Sequence, residues 1–182
     1  MVLFLVSGEG DVVRAVDGLR RAGKRVHHGD GVADSAAAVL KAGRKYIVVA
    51  HGSAAGTVRF FKPSRGSAEP WLWVKMPEPP KGTRLYLYCC RAGRRLPRFL
   101  KHCESFGHVD VVPMPTGEHD DFVIDFLHEA ESLMKRRTFD RSAWLKHLLG
   151  YVDERYVDEV EFPGESLLLG PQLLMLRTSL GA

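Results

Sequence analysis

Four short runs of the chain are apolar almost throughout instead of alternating: VLFLV (2–6), YIVVA (46–50), LYLY (85–88) and VDVVPM (109–114). A strand with one wet face shows period-two alternation. Near-continuous runs rich in β-branched and aromatic residues therefore predict strands buried on both faces of a mainly parallel sheet. Helical spacing fills the gaps. Val12, Val16 and Leu19 share one helix face with Gly23 beyond its end, and DSAAAVLKAG (34–43) opens on a cap at Asp34 and closes on Gly43. RVHHGDGV (25–32) reads as a weaker second strand. Further on, Phe122, Phe126, Ala130 and Leu133 fall on one face of a helix, and Trp144, Leu145 and Leu148 on another capped by Asp140. The expected class is α/β: an open, mostly parallel sheet with helices on both faces, its ligand site at the carboxyl ends of the strands.

One segment breaks the alternation. Residues 57–83 hold two β-prone pieces joined through Pro, Ser and Gly, which predicts a hairpin insertion projecting from the sheet. The tail, VEFPGESLLLGPQLLMLRTSLGA (160–182), reads either as a final edge strand or as a hydrophobic surface for a partner. At 182 residues with 45% hydrophobic and 26% charged content, the chain is expected to form one domain over 1–182.

Charge is unevenly distributed. Residues 1–102 hold 19 Lys+Arg against 7 Asp+Glu, and residues 103–182 hold 7 against 15, which is +12 and −8. This asymmetry predicts two oppositely charged faces that orient the molecule or its partners. No aromatic-interleaved basic motif accompanies the positive half, so a nucleic-acid partner is not expected. Three cysteines, two of them adjacent, do not make a disulfide framework, and reduced thiols suggest a cytoplasmic location. The opening MVLFLVSGEGD is too short in its apolar run for a signal peptide, and no later run reaches the length that spans a bilayer, so no membrane association is expected.

Two strand ends carry chemistry. YIVVA runs into HGS and LYLY runs into CCRAG, so parallel neighbours bring His51 and Cys89 or Cys90 to one edge. A thiolate that attacks and an imidazole that manages protons make a nucleophilic pair. Gly52 removes bulk beside His51, and its N–H and the cysteine's own N–H suit an oxyanion. A helix expected to begin near Arg94, with Pro97 in its first turn, and the cations Arg91, Arg94 and Arg95 would favour a thiolate. Strand alternation separates the thiols, with Leu85, Leu87 and Cys89 on one face and Tyr86, Tyr88 and Cys90 on the other. Cys89, Cys90, His102, Cys103 and His108 also invite a zinc reading. Adjacent ligands on a strand point apart and lack the Cys-x-x-Cys turn that wraps the ion, so no metal is expected.

A hydrophobic strand ending in HGS, with a later one ending in Cys-x-small-Gly, resembles the caspase-like cysteine peptidases, which include caspases, gingipains, separase and, closest in pattern, the bacterial CHAT-domain proteases. The matching stretches are IVVAHGS and LYLYCCRAG, and VDVVPMPTGEHDDFVIDFLHEA is similar in element order to the segment after the catalytic strand in CHAT domains. The likeness spans roughly residues 2 to 135. It implies a caspase-like fold with Cys90 as nucleophile, His51 as its proton carrier, and Gly52 and Cys90 N–H groups as the oxyanion hole, with no cofactor. Cys89 would fill space behind the nucleophile. The resemblance also implies that the loop after the first strand reads the P1 side chain. Here that loop holds Glu9 and Asp11, with Asp120 and Asp121 as further contributors, and acidic readers imply a basic P1 residue. Tyr88 stands where caspases carry a glutamine. The partner would be a protein substrate, with regulation through another protein. Two other readings stand beside it: a catalytically silent binding or scaffolding module of the same fold, and a nucleotide binder or other α/β hydrolase using SGEG, which lacks the full glycine fingerprint.

Overall fold

The computed structural model describes residues 1–7, 11–28, 38–55, 57–63, 71–94, 102–113, 120–161 and 169–180. Five strands run parallel in the order β2 (Val26–His28), β1 (Val2–Ser7), β3 (Lys45–Gly52), β6 (Arg84–Tyr88), β7 (Glu104–Gly107). The hairpin expected from 57–83 is present as β4 (Val58–Pro63) and β5 (Trp71–Lys75). It joins the sheet antiparallel through the last two residues of β3, His51 opposite Arg59 and Gly52 opposite Val58. The result is α/β, seven strands and mostly parallel. Strand order reverses between β1 and β3, so the crevice that open α/β sheets use for ligands lies off the carboxyl ends of those two strands.

The central strands are apolar throughout because both faces are covered. Ile47, Val49, Tyr86 and Tyr88 join Phe4 and Val6 in one cluster, to which α1 (Asp11–Arg21), α2 (Asp120–Lys135), α3 (Arg141–Glu161) and α4 (Leu169–Ser179) all contribute. Tyr46, Val48, Ala50, Leu85, Leu87 and Cys89 form the opposite cluster with Leu40 and Met76. The helical cover expected on that second face from 34–43 and from Arg94 onward lies largely outside the described residues.

Helix boundaries reflect local chemistry. After α1 the Gly23 N–H donates to the Arg20 carbonyl and the Lys24 N–H to that of Leu19, a reverse turn made possible by Gly23 at φ 72°. The first turn of α3 is capped by Asp140, whose carboxylate accepts from the Ala143 N–H at 3.0 Å. At the C-terminus of α2, Arg84 at the start of β6 donates to the carbonyls of Arg136 at 2.7 Å and Arg137 at 3.3 Å, and Lys45 reaches those of Lys135 and Arg136. Two strand cations thus satisfy carbonyls that a helix end leaves without partners.

Two expectations are corrected. The described part of the run 109–114, residues 109–113, is not a strand. The fourth parallel strand beyond β2 is Glu104–Gly107, fixed against β6 by register from Arg84↔Glu104 to Leu87↔Gly107, and residues 108–113 leave the ladder to pack over its end with Val112 buried. An edge strand has a ladder on one side only, so a polar start such as Glu104–Ser105 is tolerated there. The described part of the tail is not an edge strand. Its last part is α4, with Leu173 and Leu176 buried and Leu174 and Met175 exposed, and Leu180 just beyond it is buried too. Pro171 lies in the first turn of α4, where its missing N–H would have had no helical acceptor.

Candidate functional site

Register and strand polarity determine which residues meet at the carboxyl edge. β3 and β6 pair from Lys45↔Arg84 to Val49↔Tyr88; β3 runs on to His51 and Gly52, while after Tyr88 the chain turns at Cys89–Cys90 at the same edge. Alternation places His51 on the face of Ile47 and Val49, and Cys90 packs against that same cluster while Cys89 is buried in the other. The end of β3 and the turn after β6 are in close contact. A Cβ on Gly52 would overlap the Cys90 carbonyl oxygen and lie 2.7 Å from its carbon and 3.0 Å from the Cys90 nitrogen. The absence of a side chain at residue 52 is what allows this approach. Gly52 therefore lies against Cys90, with His51 the residue before it in the chain, and His51 and Cys90 are partly exposed.

The other thiols differ in kind. Cys89 is fully buried with its Sγ 3.6 Å from the Val48 carbonyl, and burial pushes the thiol well above its ordinary range. Cys103, beside the carbonyls of Pro79 and Pro80, is also pushed up by burial. Both are poorer sources of thiolate for that reason.

The cations expected to activate Cys90 are committed elsewhere. Arg91 Nε lies 3.3 Å from Asp110 Oδ1 and Arg94 3.9 Å from the same oxygen. A hydrogen bond from the Val111 N–H and that from Arg91 hold the Asp110 carboxyl below its usual range. Arg95, Pro97 and the helix expected after them lie outside the described residues. So does Glu9. Asp11 opens α1, and Asp120 and Asp121 open α2; the side chains of all three are outside the described set. The four acidic positions are thus not brought together with Cys90 by any described contact.

Among the described residues, no group of three or more His, Cys, Asp or Glu side chains gathers as metal ligands, and no helix is long and apolar enough to cross a membrane. His108, one of the residues behind the zinc reading, is instead buried in a network. Ser179 Oγ gives its proton to the Leu176 carbonyl at 2.7 Å, so it accepts from His108 Nδ1 at 2.7 Å. His108 Nε2 is then the acceptor for the Tyr86 hydroxyl at 2.5 Å. Tyr88 donates nearby to the Pro113 carbonyl at 2.6 Å. This network ties β6, the end of β7 and the end of α4 together. Only Tyr86 and Tyr88 show in the sequence as strand positions; nothing there signals that Ser179 closes the set.

Burial lowers the His108 pKa from 6.5 to about 3. Between those values the unfolded chain binds more protons than the folded one, so the stabilisation from the neutral ring is complete above the unfolded value and is lost as pH falls towards the folded one. The loss amounts to about 1.4 kcal/mol per pH unit, or about 2 kcal/mol by pH 5. Urea unfolding of the wild type and His108→Gln at pH 7.5 and pH 5 checks this: the difference between the two proteins should narrow by that amount on acidification. A constant difference would contradict it.

Compared with protein-family models, curated proteins and solved structures, the chain matches none.

Proposed function

We propose that the chain is a cysteine endopeptidase of caspase-like fold, acting through a Cys90/His51 pair. The observation that supports this most is the close approach of Gly52 to the Cys90 backbone. It supports the reading because acyl transfer needs a histidine, an accessible thiol and main-chain amides at one edge, and Gly52 follows His51 directly while Cys90 is partly exposed. In the proposed reaction the Cys90 thiolate forms a C–S bond to the scissile carbonyl, and the Gly52 and Cys90 N–H groups face the oxyanion. His51 protonates the leaving amine as the C–N bond breaks. The imidazole then takes a proton from water, whose oxygen displaces the thiolate and releases the acid. No metal or organic cofactor enters these steps. Glu9, Asp11, Asp120 and Asp121 supply the negative charge that favours a basic P1 residue in a protein substrate. The location proposed is the cytoplasm, with a protein partner as activator.

A catalytically silent module of the same fold is the second reading. It is favoured by the pairing of Arg91 and Arg94 with Asp110, which offsets positive charge beside Cys90.

Mass-spectrometric mapping of alkylation at neutral pH separates the two. The peptidase reading expects Cys90 to label about tenfold faster than Cys103, with that advantage lost in His51→Ala. It also expects cleavage of Arg- or Lys-P1 peptides that Cys90→Ala abolishes. Equal labelling of Cys90 and Cys103, unaffected by His51→Ala and with no peptide turnover, would leave the silent module standing.

A further inference from the structure

Arg91, the residue after Cys90, has φ 57° and is the only non-glycine residue with positive φ among those described. A long side chain does not hold the left-handed region by preference, so its surroundings must impose it. Three consecutive carbonyls hold the turn around it. Those of His108, Val109 and Asp110 accept in turn from the Gly93 N–H at 2.7 Å, the Arg94 guanidinium Nε and the Arg91 N–H at 2.9 Å. The segment is itself anchored: the Val109 N–H donates to the Ser179 carbonyl at 2.6 Å, and the His108 ring is held between Tyr86 and Ser179. Gly93 fits because it has no Cβ, which would lie 2.7 Å from the Gly107 oxygen and 2.9 Å from that of His108.

We propose that Asp110 is a positioning residue for Cys90: residues 108–110 form a template for the turn at 91–94, and the Asp110 carboxylate locks Arg91 into the left-handed conformation that sets the Cys90 thiol at the sheet edge. One carboxylate oxygen does two things at once. It accepts from Arg91 Nε at 3.3 Å, tying the side chain of the strained residue, and from the Val111 N–H at 2.9 Å, stiffening the template beneath it. Its side chain is 41% exposed and acts on Cys90 through Arg91. The proposal rests on Cys90 being the nucleophile.

Glycine adopts the left-handed region without the Cβ penalty, and this makes the idea testable in the intact chain. Asp110→Ala is expected to slow Cys90 alkylation about tenfold relative to Cys103 in the same molecule, and to speed hydrogen exchange at the Arg91 amide by about as much. Adding Arg91→Gly should return the Cys90 rate to within about threefold of wild type, because the turn then no longer depends on the clamp. A positioning role leaves the pH midpoint of Cys90 alkylation in place and lowers its plateau. A charge role would move the midpoint down when the carboxylate is removed, and that shift would overturn the proposal. So would an unchanged Cys90 rate in Asp110→Ala, or a loss that Arg91→Gly does not recover. Failure of the peptidase reading shows separately, as a wild-type Cys90 rate insensitive to His51→Ala. In that case Arg91 amide exchange still decides whether the clamp exists.

Discussion

Gly52→Ala is expected to destabilise the protein by about 3 kcal/mol, near the upper end of what overpacking costs, and to slow alkylation of Cys90. The added methyl would meet main-chain atoms of Cys90, not the tip of a flexible side chain, so either β3 or the turn after β6 must move. Both are held in place. β3 is paired to β1 as far as Ala50, to β6 as far as Val49 and to β4 at His51 and Gly52, and the Cys90 turn is bonded to residues 108–110. Gly150→Ala is the matched control. It lies within α3 with nothing within 4 Å of its added Cβ, so it should stabilise by about 0.8 kcal/mol through helix propensity alone. Urea midpoints of the two variants read the contrast. A Gly52→Ala protein as stable as wild type would mean that β3 and Cys90 do not approach so closely, and the proposed site would lose its main support.

Arg84→Ala is expected to cost about 3 kcal/mol or more, comparable with breaking a buried charged network. The guanidinium is buried, lies 5.2 Å from the Trp144 ring centroid and 5.6 Å from that of Phe139, and donates to the carbonyls of Arg136 and Arg137. Truncation removes this donor from the Arg137 carbonyl, leaves that of Arg136 to Lys45 alone, and opens a space between the two rings. Its ion pair with Glu104 at 2.5 Å contributes much less, because the Glu104 side chain is 47% exposed and water screens it. Glu104→Gln should therefore cost less than about 1 kcal/mol. Thermal or urea unfolding of both variants tests the ranking; equal losses would assign the stabilisation to the ion pair instead of the guanidinium's bonds to the carbonyls after α2. Arg84→Lys should recover only part of the loss, since an ammonium does not span several acceptors in one plane.

The strands and helices with strong periodicity were legible in the sequence. Ile47, Val48 and Val49 are apolar in succession because both faces of β3 are buried, and Phe122, Phe126, Ala130 and Leu133 repeat because one stripe of α2 faces the sheet. The separation of Cys89 from Cys90 came from alternation alone. The two misread segments had weak or conflicting local signals. Glu104–Gly107 is a strand because β6 offers it a ladder, whereas the more apolar 109–113 covers the end of that ladder. Leu169–Ser179 is a helix although Gly170 and Pro171 punctuate it, because burial of Leu173 and Leu176 outweighs a first turn of low propensity.

The sequence by itself determined the α/β class, the hairpin, most helix faces and the nomination of His51, Gly52 and Cys90, since each depends on spacing within a few residues or on which strand end a residue occupies. Only the tertiary structure decided what surrounds them: that Gly52 lies against Cys90, that Asp110 draws Arg91 and Arg94 to itself, and that His108 is enclosed by Tyr86 and Ser179. Those contacts join residues far apart in the chain, 19 positions for Arg91 and Asp110 and 71 for His108 and Ser179. Their partners are selected by sheet register and by burial, which no local pattern of residues encodes.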